Sequence, residues 1–189
     1  MQKYDVVLLV DASLADKDRN AVLENVEAMF DKNILLKDDI GLKTLAYNLK
    51  DKAGNDKAYL YSYHIQSPAE NIETFKKQMV YNKAIKRYVI YKMDPTQEFF
   101  KFADIKAEME KVIEGWEQKK LWQKLSFFAD KKNAKYINWK AIPMLKKYVT
   151  RFGNIKPRKY TGNPVNLQKK VRESILRARE LGLLEYVKE

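Results

Sequence analysis

At 189 residues the chain is long enough for one large domain or two small ones, and its 46% hydrophobic and 12% aromatic content is that of a folded protein. It has no cysteine, which excludes disulfides, thiolate zinc sites and cysteine nucleophiles. The net charge of +12 gathers at one end: residues 1–94 carry 15 Lys/Arg against 14 Asp/Glu, residues 95–125 carry 6 of each, and residues 126–189 carry 16 against 5.

Residues 4–10 are a short continuous run of β-branched and Leu residues, which predicts a buried strand. Residues 16–32 place Val22, Leu23, Val26, Met29 and Phe30 on one face of a helix. Asp38-Asp39 predicts a turn, residues 42–49 a second strand, and Lys50 to Asp56 a polar turn around Gly54-Asn55. Residues 58–65 alternate, with Tyr59, Tyr61, Tyr63 and Ile65 on one side of a third strand. Ser67-Pro68-Ala69-Glu70 is a helix start, with a capping serine, proline in the first position and glutamate three after the cap; that helix runs to about Val80. Residues 85–92 form a last strand, ended by Met93-Asp94-Pro95. The order βαββαβ is the ferredoxin-like split arrangement, an antiparallel sheet with two helices on one face.

Residues 95–125 carry Phe99, Phe102, Ile105, Met109, Val112, Ile113 and Trp116 at helical spacing. They predict a connecting helix that must bury its stripe against a flanking module, with a bend at Gly115. Residues 138–151 predict a helix with Pro143 in its first turn and Gly153 as its cap. Residues 154–165 predict an ordered loop, and 166–181 a final helix closed by Gly182. The expected architecture is α+β: a ferredoxin-like domain over 1–94, a helical linker over 95–125, and a small basic, mostly α-helical domain over 126–189.

A neutral body with a cationic end is the footprint of a polyanion binder, because phosphate contacts release condensed counterions. The plain alternative is a solvated basic tail. Tyr136, Ile137, Trp139, Ile142, Leu145, Tyr148, Val149 and Phe152 argue for a folded segment instead. In the final helix Leu167, Val171, Ser174, Ile175 and Ala178 share one arc. Lys170 and Arg177 flank it on one side, Lys169, Arg172 and Arg179 on the other, and Leu176 falls outside. Arginine suits phosphate because its planar fork donates in pairs. Lys156-Pro157-Arg158-Lys159 adds cations on a proline-fixed backbone, which lose less entropy on binding. Arg151, Lys156, Arg158, Lys159, Lys169, Lys170, Arg172, Arg177 and Arg179 are the candidate RNA-binding residues.

Other features point to structure rather than chemistry. Tyr59, Tyr61 and Tyr63 invite comparison with sheets that stack RNA bases on strand aromatics. The string Lys57 to Tyr63 lacks the glycine of that motif, so sheet packing or a protein interface is preferred. His64 is the single histidine and is expected to be structural. Glu108 and Glu110 point to different faces of a helix. With no Gly-x-Gly-x-x-Gly, P-loop or Gly-x-Ser-x-Gly string, no enzyme, cofactor or metal is expected. The apolar run Val6 to Val10 is too short to cross a bilayer, and no leader is visible, so a cytoplasmic protein without membrane contact is expected.

Two stretches resemble two bacterial families. Tyr4 with its apolar strand, Gly41-x-Lys43-x-Leu45-Ala46-Tyr47-x-Leu49-Lys50, Ala58-Tyr59-Leu60 and Ile85-Lys86-Arg87-Tyr88-Val89-Ile90 resemble small-subunit ribosomal protein six over residues 4–93. Residues 126–187 resemble small-subunit ribosomal protein eighteen. The strings that carry it are Tyr136-Ile137-Asn138-Trp139-Lys140, Leu145-x-x-Tyr148-Val149, Gly153-x-Ile155-x-Pro157-Arg158-Lys159-x-Thr161-Gly162 and Arg177-Ala178-Arg179-x-Leu181-Gly182-Leu183-Leu184-x-Tyr186. The second match is the more specific.

The resemblance implies a fusion of two proteins that pair in bacteria and bind the central domain (platform) of small-subunit ribosomal RNA beside neighbouring ribosomal proteins. A tether would hold the pair at about millimolar effective concentration. The expected role is structural and ribosome-bound, with the basic module making the phosphate contacts. The alternative is a non-ribosomal, single-stranded RNA-binding regulator using the ferredoxin-like sheet. Many members of the second family carry a Cys-x-x-Cys pair, then a Cys and a His. The matching positions here are Ser126, Ala129, Pro164 and Leu167, so no zinc site carries over, and apolar packing through Phe127, Phe128 and Leu167 is expected instead. Glu173 and Glu180 dilute the positive face of the helix.

Overall fold

The computed structural model describes residues 1–30, 33–49, 56–94, 97–117, 127–129 and 133–187. The polar turn over 50–55, Pro95, the linker end over 118–125 and Ser126 lie outside the described residues. The chain divides into two compact units, Met1–Phe99 and Phe100–Glu189.

In the first unit the elements run β1 (Gln2–Asp11), α1 (Asp16–Phe30), β2 (Ile34–Thr44), β3 (Lys57–Ser67), α2 (Ala69–Val80) and β4 (Ile85–Lys92). The four strands form one sheet in the order β2-β3-β1-β4, every pair antiparallel. Alternate residues of β1 and β3 (Val6, Leu8 and Val10; Tyr61, Tyr63 and Ile65) meet Val22, Val26 and Phe30 of α1 and Ile72, Phe75 and Met79 of α2. Phe30 and Phe75 lie 5.0 Å apart between ring centroids, within the range where aromatic pairs add to plain burial. This is the ferredoxin-like sheet with two helices on one face, and it belongs to the α+β class.

The strand tyrosines serve that core. Tyr63 is fully buried, Tyr61 is 3% exposed, and the Tyr63 hydroxyl donates to Glu27 of α1 at 3.1 Å. Tyr61 and Tyr63 therefore offer no stacking platform for bases. His64 is also fully buried on the other face of the sheet, stacked on Phe99 at 4.3 Å. Beside it the Ser62 hydroxyl donates to Asp5 at 2.8 Å. The histidine is structural.

The second strand differs from expectation. It spans 34–44 rather than 42–49, and Asp38-Asp39 lies inside it rather than in a turn. Its pairing with β3 slips twice, between Ile34 and Leu36 and between Asp39 and Gly41. Each slip inserts one residue, which breaks the two-residue periodicity that reveals a strand. At the second, Gly41 takes φ +77 and donates its N–H to the Asp39 carboxylate at 3.0 Å.

The second unit comprises α3 (Phe102–Glu117), 3-10 turns at Phe127–Ala129 and Ala134–Tyr136, α4 (Ile142–Lys147), α5 (Arg158–Thr161) and α6 (Val165–Glu180). Helix α3 packs on α4, and α4 on α6. Ile105 and Met109 of α3, Met144 and Leu145 of α4, and Val171, Ile175 and Ala178 of α6 are fully buried, with Trp139 and Tyr148 among them. Phe128 is fully buried too, 5.2 Å from the Tyr148 ring, and its N–H donates to the Tyr148 hydroxyl at 3.3 Å. Leu167 is only half-buried. Lys140 has no exposed surface, and its ammonium donates to the Phe100 carbonyl at 3.2 Å.

Helix α4 has six residues, not the span 138–151 that apolar spacing suggests. Past Lys147 the chain turns back: Val149 bridges Ile155, and the Lys156 N–H donates to the Tyr148 carbonyl at 2.9 Å. Gly153, with φ +85, sits in this hairpin rather than capping a helix.

Candidate nucleic-acid interface

The basic module presents its cations on two short pieces of backbone that one side chain ties together. After the hairpin, Pro157 takes an extended conformation (φ −69, ψ 160) and α5 follows as a single turn, stopped by Gly162 at φ +73. Proline at the cap has no N–H to lose, and glycine accepts the left-handed stop. Arg158 and Lys159 project from this turn into solvent. Gln168 in α6 clasps the loop. Its amide nitrogen donates to the Lys156 carbonyl at 2.9 Å, and its oxygen accepts from the Thr161 hydroxyl at 2.8 Å and the Asn163 amide at 3.0 Å. Thr161 is fully buried and Asn163 nearly so, and these partly buried bonds hold the loop against the helix. Sequence reasoning passed over Gln168. A glutamine beside two lysines reads as solvated surface until its partners are placed.

On α6 the inward face is the arc that periodicity gives: Val171, Ser174, Ile175 and Ala178 are buried. Lys169, Lys170 and Arg172 are exposed beside it, as is Arg151 in the hairpin, where its guanidinium lies 5.1 Å from the Phe152 ring centre. Among the described residues no ion pair engages these four or Arg158 and Lys159. Such side chains keep their full charge available to phosphate.

The remaining three candidates are placed differently. Lys156 is half-buried, and its ammonium donates to the Lys147 carbonyl at 2.8 Å. Arg177 is paired with Glu173 one turn earlier at 2.6 Å, so the acid does dilute this edge. Arg179 turns inward. It is 7% exposed, donates to the carbonyls of Gly153 and of Glu185 (3.0 Å for the latter), and lies 5.6 Å from the Tyr186 ring centre. Its fork satisfies backbone acceptors at the end of the helix, where a cation also complements the helix dipole. It belongs to the scaffold, not to an outward-facing phosphate site.

The positions matching the second family's metal ligands hold no ligand set. Ala129 lies in a 3-10 turn, Pro164 precedes α6, and Leu167 lies in its first turn. None of the three side chains can bind a metal.

The chain matches the family model described as ribosomal protein S6 over residues 3–92 and that described as ribosomal protein S18 over residues 133–184. Small ribosomal subunit protein bS18 of Mycoplasma capricolum is 42% identical over 65 residues, 34% of this chain and 85% of that protein. The bS18 of Mycoplasma mycoides is 43% identical over 65 residues with the same coverage, 34% and 85%. A crystal structure of 30S ribosomal protein S6 from Thermotoga maritima matches with a TM-score of 0.44 and 13% identity, covering 59% of this chain and 97% of that one. The chain therefore belongs to the ribosomal protein S18 family through its C-terminal part, and ahead of that part it matches the ribosomal protein S6 family model, so one polypeptide carries matches to two ribosomal protein families.

Proposed function

We propose that the two modules of this structural, non-enzymatic small-subunit ribosomal protein dock on each other and bind the central domain (platform) of small-subunit ribosomal RNA. Both families are ribosome-bound in the bacterial cytoplasm, and their members bind ribosomal RNA and neighbouring proteins. The observation that carries the RNA reading is the exposure of Arg151, Arg158, Lys159, Lys169, Lys170 and Arg172 on a backbone clasped by Gln168. Phosphate contacts position a protein on RNA, and cations held before binding lose less entropy. Lys156 and Arg177 add to the local field while engaged within the chain. Arg179 supports the loop.

Double charge reversal, Arg158→Glu with Lys159→Glu, should weaken binding to a central-domain RNA fragment. It should also reduce the slope of log affinity against log salt by about two. An unchanged slope would remove these residues from the contact. Docking has its own check: residues 1–99 and 100–189, expressed separately, should co-purify at high concentration. Halves that stay apart would contradict it.

A further inference from the structure

The N-terminal module's near-neutral total conceals a division. Residues 74–93 carry 6 Lys/Arg and no Asp/Glu, whereas the rest of residues 1–94 carries 9 Lys/Arg and 14 Asp/Glu. This cationic stretch runs from the last turns of α2, through the α2–β4 turn, along the edge strand β4. At the turn the chain exposes two large apolar residues in succession, Val80 at 66% and Tyr81 at 85%. Next to them is an open pocket of about 330 Å³, lined by residues 79–83 and 85–88. That size falls in the range of small-ligand sites. Lys83 is exposed on its wall, as are Lys76 and Lys77 on the helix before it. Lys77 and Tyr81 are four residues apart and so share a side of the helix. The inner wall is fixed: Lys86 donates to the Lys57 carbonyl at 3.1 Å and lies 3.5 Å from Asp11, and Arg87 donates to the Tyr47 hydroxyl at 3.2 Å.

We infer that this pocket is a second RNA contact, on the S6-like module, taking one unpaired nucleotide. Its base stacks on Tyr81, and its flanking phosphates lie against Lys83 and Lys77. The inference rests on the RNA-binding reading above and extends it to a surface that whole-module charge leaves out. A flat exposed ring beside the exposed Lys77 and Lys83, with the nearby Asp11 already engaged by Lys86, suits a base with its phosphate. An acidic peptide would use the charge and leave the ring without a role. Tyr81 is a surface residue, so its replacement should leave the fold intact.

The test uses the full chain. Tyr81→Ala should lower affinity for the central-domain RNA fragment about tenfold, the loss of one stacked base, while Tyr81→Phe keeps it. Lys83→Glu should weaken binding and lower the salt slope. Equal melting temperatures would confirm that the variants fold. Unchanged affinity in Tyr81→Ala would overturn the site. If the parent chain also prefers the fragment to a scrambled duplex, the ribosomal reading stands while the site falls. A second probe is independent of that reading: decaadenylate RNA, photocrosslinked to the parent chain and mapped by mass spectrometry. An adduct on Tyr81 that Lys83→Glu reduces supports the site. Adducts confined to residues 151–172 overturn it.

Discussion

At the scale of single residues, the same charge does two jobs in this protein, and burial separates them. Arg158 and Lys159 stand in solvent, whereas Arg179 is spent on two carbonyls under the C-terminal segment. Arg179→Ala should destabilise the protein by about 2–3 kcal/mol, because it leaves buried acceptors unsatisfied. The salt slope for RNA should not change per folded molecule. A slope that falls with no loss of melting temperature would return Arg179 to the RNA contact. Two glycines make a similar contrast. A Cβ on Gly41 meets nothing within 4 Å, so Gly41→Ala should cost about 1 kcal/mol from its φ of +77 alone. At Gly153 a Cβ would lie 2.6 Å from the Tyr186 carbonyl oxygen, so Gly153→Ala should cost clearly more in the same melts. Equal losses would mean that the C-terminal segment does not pack there. Burial also sets an alkaline limit. It pushes the Tyr148 phenol up to about 12 from 10.0, partly offset by bonds from Phe128 and Asn163. Burial beside Glu27 pushes Tyr63 upward as well. The folded state favours the neutral phenol, so this stability is full below pH 10 and is lost as pH climbs toward 12. Thermal melts from pH 7 upward should show a decline beginning near pH 10, and Tyr148→Phe should make it shallower. A decline equally steep in the variant would assign it to other groups.

At the scale of elements, legibility followed periodicity. Strands β1, β3 and β4 announce themselves by continuous or alternating apolar residues, and the Ser-Pro-Ala-Glu string marks the start of α2, although Ser67 ends β3 instead of capping the helix and Pro68 takes the cap position with no side-chain bond. Periodicity failed where the backbone breaks its own rhythm. Two bulges in β2 hid the strand and made an acid pair, Asp38 buried and Asp39 exposed, look like a turn. Beyond Lys147 the apolar residues Tyr148 and Val149 keep helical spacing, yet a local hairpin takes over their hydrogen bonds. The apolar stripe of α3 does find a surface, on α4 within the second unit. The candidate site was legible as a set of cations on a loop and a helix. Its inward members were not: Arg179 donates only to backbone carbonyls, which leave no trace in side-chain identity, and Gln168 finds its partners only once the loop folds back on α6.

For the whole molecule, the chain forms two compact units, Met1–Phe99 and Phe100–Glu189, and the net positive charge lies in the second. The central claim is that this basic module carries the chain onto the platform of small-subunit ribosomal RNA. Filter binding of the full chain to a central-domain RNA fragment, at two salt concentrations and against a scrambled duplex of equal length, tests it most directly. Binding that survives the competitor and weakens with salt by a slope matching several phosphate contacts is the predicted result. Binding that the duplex removes completely would contradict it, leaving a protein that holds any polyanion and recognises none.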